Sequence, residues 1–274
     1  MVRGRRASER LGRFLTASGA GFAVAMIVFP LLLVFWLSFF SNEILSFPAE
    51  AYSLRWYGAM LKQPQFLAGF WLSFKVALMA TVFGLALTIP ASLAIAALEF
   101  RGREAIIQLL MAPLIVPAIV IGSALYVSGV ETEIATGLPV NGSTTGFVLG
   151  HVLLTIPWCM RLVLASLAGL DRTLEEAALS LGATPFTATT KVTLPLIWPG
   201  AVAAALFSFV VSFGNVELSL FLAAPGDTTL PVAILQYLQW KIDPTVAAVS
   251  VLQVLIVGAA LVVTSRFVSL SRVM

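Results

Sequence analysis

Cutting the chain at its charged residues leaves six long uncharged runs, 14–42, 76–98, 105–130, 134–160, 192–216 and 244–265. Each is longer than the about 20 residues a helix needs to cross a hydrocarbon core. The pattern predicts an all-α polytopic membrane protein in a single domain, 1–274, with spans near 15–40, 66–98, 105–128, 144–168, 200–222 and 244–265. The second span reaches back to Phe66 because Lys75 interrupts an apolar stretch instead of ending it, and the fifth runs past Glu217 to Leu222. The first run far exceeds the about 7–15 apolar residues of a cleaved signal peptide, so it is read as an uncleaved span. Pro30, Pro90, Pro113, Pro117 and Pro157 fall within the spans. They are tolerable where neighbouring helices or water satisfy the freed carbonyls, as kinks lining a pathway or as ordinary bundle packing.

The polar segments set an orientation, because Lys and Arg in short loops stay on the cytoplasmic side. Arg3, Arg5, Arg6, Arg10 and Arg13 precede the first span; Arg101 and Arg103, then Arg172 and Lys191, and finally Arg266 and Arg272 fall on the same side. The opposite loops hold Arg55, Lys62 and Lys241, and one of them holds Glu131 and Glu133. Both termini are therefore expected in the cytoplasm. Trp36, Trp56, Trp71 and Trp240 lie near the outer boundaries, where indoles anchor at the interface.

Composition sharpens the picture. At 59% hydrophobic and 11% charged, with a mean hydropathy of +1.00, the chain cannot clothe a water-facing surface. A soluble enzyme is excluded. The net charge of +3 comes without a basic amphipathic face carrying stacking aromatics, so nucleic acid is not an expected partner. One cysteine, Cys159, and one histidine, His151, offer no metal-ligand spacing and a poor start for a triad.

One polar stretch on the inner side is long enough to hold structure, residues 170–199, LDRTLEEAALSLGATPFTATTKVTLPLIWP. Thr173 with Glu176 three residues on reads as a capping box, starting a helix at Leu174. Gly182 supplies a left-handed residue to end it. Thr184 before Pro185 is a second start, and Pro195 should bar extension beyond the next turn. Leu174, Ala178 and Leu181 recur at helical spacing as a small apolar face with little of its own protein to cover it. Ala177 and Ala178 would let a partner approach closely.

Glu176-Ala177-Ala178, Gly182 after three residues, then Val192 and Leu194-Pro195 after nine more resemble the EAA loop of permease subunits in bacterial ABC importers. Val192 stands where isoleucine is usual. SLRWYGAML (53–61), FRGREAIIQLLMAPLIVPAIVIGSALY (100–126) and LPVAILQYL (230–238) are similar to the second permease of spermidine/putrescine-type importers. The resemblance implies a MetI-like permease fold in the bacterial inner membrane, translocating a small polar solute of the polyamine or related amine type. It implies a periplasmic or lipid-anchored solute-binding protein, a second permease subunit, taken as a different chain, and a dimer of ABC ATPase subunits. Coupling to that ATPase would fall to Glu175, Glu176, Ala177, Ala178, Leu181, Gly182 and Pro185. No GxxxxGK[ST] motif or Gly-Lys dipeptide occurs. ATP and Mg are expected on the separate ATPase, with no cofactor and no metal on this chain.

A carboxylate at mid-span costs about 2.5–3.5 kcal/mol on an insertion scale, so Glu217 needs a reason. Asn215, Glu217 and Ser219 would sit in the outer half of the fifth span, with Ser208 and Ser212 on its inner side, and Ser212, Asn215, Glu217 and Ser219 are expected on a solute pathway with Lys75 and His151. In similar permeases this segment often carries an acidic residue where Gly214 stands, so a charge is absent here. Alternatively Glu217 pairs with Lys75, since their positions along their spans put them within about 5 Å of the same depth. Arg161 at the inner end of the fourth span is expected to snorkel. Outside transport, an intramembrane lipid-modifying enzyme or a structural subunit would also be all-α, though the first would need more than Glu217 and His151 in the way of intramembrane acids and bases.

Overall fold

The computed structural model describes residues 2–44 and 47–267, without the side chains of residues 2–11, 14 and 265–267. The expected positions of Arg3, Arg5, Arg6, Arg10, Arg266 and Arg272 therefore lie outside the described side chains. Twelve α-helices carry the described chain: α1 (Val2–Leu37), α2 (Arg55–Leu61), α3 (Pro64–Ala97), α4 (Arg103–Met111), α5 (Ala118–Thr136), α6 (Thr144–Ala168), α7 (Thr173–Ser180), α8 (Pro185–Ala188), α9 (Leu194–Phe213), α10 (Glu217–Leu222), α11 (Leu230–Trp240) and α12 (Thr245–Phe267). No strand forms among the described residues, only isolated bridges at Phe40–Tyr52 and Ala224–Asp227. Six helical stretches are long and apolar enough to span a bilayer: Leu15–Leu37, Pro64–Ala97, Ala118–Thr136, Thr144–Ala168, Pro185–Phe213 and Thr245–Thr264.

Two spans differ from the sequence expectation, both at prolines. The run expected as a span at 105–128 is broken: α4 ends at Met111, a 3₁₀ turn covers Ala112–Leu114, and α5 starts only at Ala118 behind Pro117. Pro113 and Pro117 lack the N–H groups that would carry one helix through, and each disfavours helical geometry in the residue before it. The apolar span is displaced to 118–136. The fifth span shifts the other way. Pro195 does not stop the chain; α8 runs through a π-helical turn, Thr189–Thr193, into α9. In that turn the Leu194 N–H reaches back five residues to the Thr189 carbonyl, a wider ring that accommodates the donor lost at Pro195. The helix then ends at Phe213, and Glu217 heads a separate short helix.

The chain divides into two compact units, Met1–Lys62 with Tyr237–Val254 and Gln63–Gln236 with Leu255–Met274. In the first, α1 exposes apolar side chains such as Phe22, Ile27 and Phe29 around its circumference. Trp56 is no interface anchor: it is buried, and its Nε1 donates to the Phe40 carbonyl at 2.6 Å, because the amphipathic α2 turns its indole inward. Asp243 is buried and accepts from the Tyr237 hydroxyl, the Thr245 N–H and Lys241 Nζ, each at 2.9 Å.

The second unit is built on α3, α6 and α9, which pack against one another along their lengths. One cluster joins Val76 and Ala80 of α3, Phe147, Val148 and Val152 of α6, and Leu218 and Leu222 of α10; a second joins Val163 of α6 to Ile197 and Ala204 of α9. Lipid tails are as apolar as these side chains, so close packing rather than water exclusion holds such helices together. Small residues make the approach possible. A Cβ on Gly200 of α9 would overlap the Ser166 hydroxyl of α6.

Candidate functional site

Two polar assemblies stand out in the second unit. The first lies at the end of the core helices that carries Arg103 and Arg172. α7 starts at Thr173, but no Thr173–Glu176 capping box forms. Asp171 supplies the cap: its Oδ1 accepts from the Thr173 N–H at 3.0 Å, two residues ahead of where the box would act. The Thr173 hydroxyl and N–H hold the Asp171 carboxyl below the usual carboxylate range. The second start does form, with Thr184 Oγ1 accepting from the Thr187 N–H at 3.2 Å and Pro185 in the first helical turn. Between them Gly182 has φ +88°, a left-handed conformation that a side chain would strain.

This bend projects apolar groups into the open. Leu181 is 90% exposed and Phe186, which sequence reasoning passed over, 78%. Leu174, Glu176, Ala177 and Pro185 are exposed, whereas Ala178 is half-buried. Glu175 turns inward, where its Oε2 accepts from Thr193 Oγ1 at 3.0 Å. Arg172 Nη2 donates to the Ala96 carbonyl at 2.8 Å and Arg103 Nε to that of Ile95 at 2.8 Å, which satisfies two of the orphan acceptors at the end of α3. Leu93, Leu167, Leu170 and Leu179 line a cavity of about 250 Å³ beside Glu175 and Thr193.

The second assembly is buried between α6, α9 and α10. His151 is 1% exposed; its Nδ1 lies 2.7 Å from Ser212 Oγ and its Nε2 3.1 Å from Ser219 Oγ. One nitrogen carries the proton and donates while the other accepts, and each serine takes the complementary role. Ser212 lies in the last turn of α9 and Ser219 in the first turn of α10, so one imidazole clamps both sides of the break at 214–216. Below it on the same face, Cys159 Sγ and Ser208 Oγ are 3.0 Å apart.

Of the residues expected along a pathway, the structure gathers His151, Ser212 and Ser219. Asn215 is partly buried and caps α10, its Oδ1 accepting from the Leu218 N–H at 2.9 Å. Glu217 and Lys75 are both exposed and form no ion pair with each other; the ion pairs among the described residues are Arg103–Glu104 and Lys241–Asp243. A depth for Glu217 matching that of Lys75 requires one continuous helix, and α9 and α10 are broken at 214–216.

Residues 96–271 match the family model described as the binding-protein-dependent transport system inner membrane component. The chain is 31% identical over 231 residues to the putrescine transport system permease protein PotI of Escherichia coli, covering 84% of this chain and 81% of that protein. It is 35% identical over 218 residues to the molybdenum transport system permease protein ModB of Mycobacterium bovis, covering 75% and 80%. Among solved structures, a bacterial ABC transporter involved in the import of the acidic polysaccharide alginate superposes with a TM-score of 0.70 at 16% identity, over 95% of this chain and 97% of that one. Six apolar helices, an all-α fold shared with that transporter and a family match across most of the chain converge: this protein belongs to the binding-protein-dependent inner-membrane transport components, as a multi-pass permease subunit of an ABC importer, a class that works with an ATPase and a solute-binding protein.

Proposed function

We propose that the chain carries a small polar solute of the amine type across the inner membrane, with both termini and the 170–199 loop in the cytoplasm. A periplasmic binding protein delivers the solute, a second permease, a different chain, completes the pathway, and a dimer of ATPase subunits supplies ATP and Mg chemistry. The observation that carries the reading is the apex formed by α7, Gly182 and α8, which holds Leu181 and Phe186 in the open, largely uncovered by the described residues. An apolar knob on a fixed bend suits a groove on a partner, and Glu176, Ala177, Ala178, Leu181, Gly182 and Pro185 form the coupling contact. On the opposite half, the exposure of Glu217 beside the break at 214–216 supports a place for it on the solute pathway, while Ser212, Ser219 and His151 hold the two sides of the break in register.

Similarity to PotI supports an amine; similarity to ModB points to an anion. The exposed carboxylate of Glu217, where an oxyanion would be repelled, favours the amine. When the permease is reconstituted with its ATPase and binding protein, the complex should hydrolyse ATP faster with putrescine and not with molybdate, and the reverse result would overturn the substrate assignment. Ala178→Arg and Gly182→Val should abolish that stimulation while the chain still inserts. Normal stimulation in both variants would show that the loop is a mere connector.

A further inference from the structure

The two glutamates at the start of α7 face different ways. Glu176 is exposed, whereas Glu175 is half-buried and bonded to Thr193, itself only 4% exposed. Threonines inside helices ordinarily return their hydroxyl to a carbonyl one turn back. Thr190 does so, donating to the Phe186 carbonyl at 2.8 Å. Thr193 does not; the π turn gives the Thr189 carbonyl to the Leu194 N–H, and the Thr193 hydroxyl goes to Glu175 instead. A second tie runs from Arg172, at the cap of α7, to the Ala96 carbonyl in the last turn of α3. The short α7 is thus fastened to the bases of two of the three core helices. Both ties involve a charged group, and such bonds are roughly twice as strong as neutral ones. The apolar groups between them line a cavity instead of filling it, so the polar ties set the register.

We infer that Glu175 and Thr193 form a positioning brace that passes displacement of α7 into the base of α9, with Arg172 doing the same for α3. Glu175, expected from the sequence among the residues that contact the ATPase, is then a transmitting residue on the inner face of the helix, apart from that contact. The inference rests on the reading that α7 docks on an ATPase, and the two are separable by experiment. Gly214, at the exposed end of α9 with φ −92°, accepts a side chain, and Cys159, the one native cysteine, is fully buried. Gly214→Cys in the assembled complex can therefore be labelled with a membrane-impermeant maleimide, with and without ATP and vanadate.

In the parent, nucleotide trapping should change the labelling rate about tenfold. Adding Glu175→Ala or Thr193→Val should leave the ATPase bound and hydrolysing but reduce that response to within about twofold. Glu175→Gln and Thr193→Ser, which keep an acceptor and a hydroxyl, should restore most of it. A full response in Glu175→Ala would overturn the brace. So would loss of the ATPase from that variant, since it would place Glu175 in the docking contact. No response in the parent would instead remove the coupling reading, and the brace with it.

Discussion

The imidazole of His151 offers a test of whether the break between α9 and α10 is held by design of its polar contacts. His151→Phe keeps a ring of similar size and leaves the hydroxyls of Ser212, 3% exposed, and Ser219, 0% exposed, without their partner. In water-soluble proteins each buried group stranded in this way costs about 1–3 kcal/mol. Inside membranes, interhelical hydrogen bonds average about 0.6 kcal/mol with a maximum near 1.7, because stranded groups find other partners. The lower scale governs here, since Ser212 can swing to a carbonyl one turn back in α9 and Ser219 to one in the segment just before α10. His151→Phe should therefore cost about 1–2 kcal/mol. Ser212→Ala, which loses the 2.7 Å contact, should cost more than Ser219→Ala, which loses the 3.1 Å one. Melting of the detergent-purified chain, followed by fluorescence-detected gel filtration, should show a fall of about 2–8 °C for His151→Phe. Because exchanging all partners for apolar groups is close to neutral, the triple variant with Ser212→Ala and Ser219→Ala should recover most of that loss. If His151→Phe melts with the parent, or the triple variant melts no higher than the single, the clamp is not what holds the break.

Asp243 gives a pH dependence with a definite sign. Burial pushes its carboxyl up, yet hydrogen bonds from Thr245, Lys241 and Tyr237 outweigh burial and hold it below the usual carboxylate range. The stabilisation is therefore fully present above the ordinary value of about 3.9 and lost as pH falls through the lower folded value. Melting temperature between pH 7 and pH 3 should fall less steeply in Asp243→Asn than in the parent, and parallel curves would rule the contribution out. Lys75 and Glu217 make no ion pair, so Lys75→Met should change stability by no more than about 0.5 kcal/mol. Glu217→Gln should lower putrescine uptake at limiting solute while yield is unchanged, and rescue of a Glu217→Gln defect by added Lys75→Met would instead reinstate a pair.

Much of the fold is legible in the sequence because the bilayer imposes a coarse rule. Charges are too costly to scatter through the spans, so their spacing outlines six apolar helices whatever the packing. Where the expectation fails, proline is the cause. A proline removes one donor, but composition does not say whether the chain answers with a break or with a wider turn. At Pro113 and Pro117 it breaks, and at Pro195 it widens into a π turn. The capping error has a related origin: Asp171 and Thr173 are both good caps two residues apart, and only the geometry of the chain leaving α6 selects the first.

The candidate sites divide along the same line. The bend at Gly182 is readable because left-handed geometry has a residue signature, and its φ of +88° follows from it. Glu217 attracts notice as a charge in an apolar run, yet the structure places it at the head of a short helix, exposed and unpaired with Lys75, where the insertion cost no longer applies in full. His151 and its serines give the weaker signal, since neutral polar residues raise little objection in a hydropathy profile. They are the ones buried and mutually satisfied, across 61 and 68 residues of sequence. Charge marks where a chain pays attention to solvent or partner; a neutral network marks where it fixes its own shape, and that is why an alternation of spans can be read from one sequence while the clamp between two of them cannot.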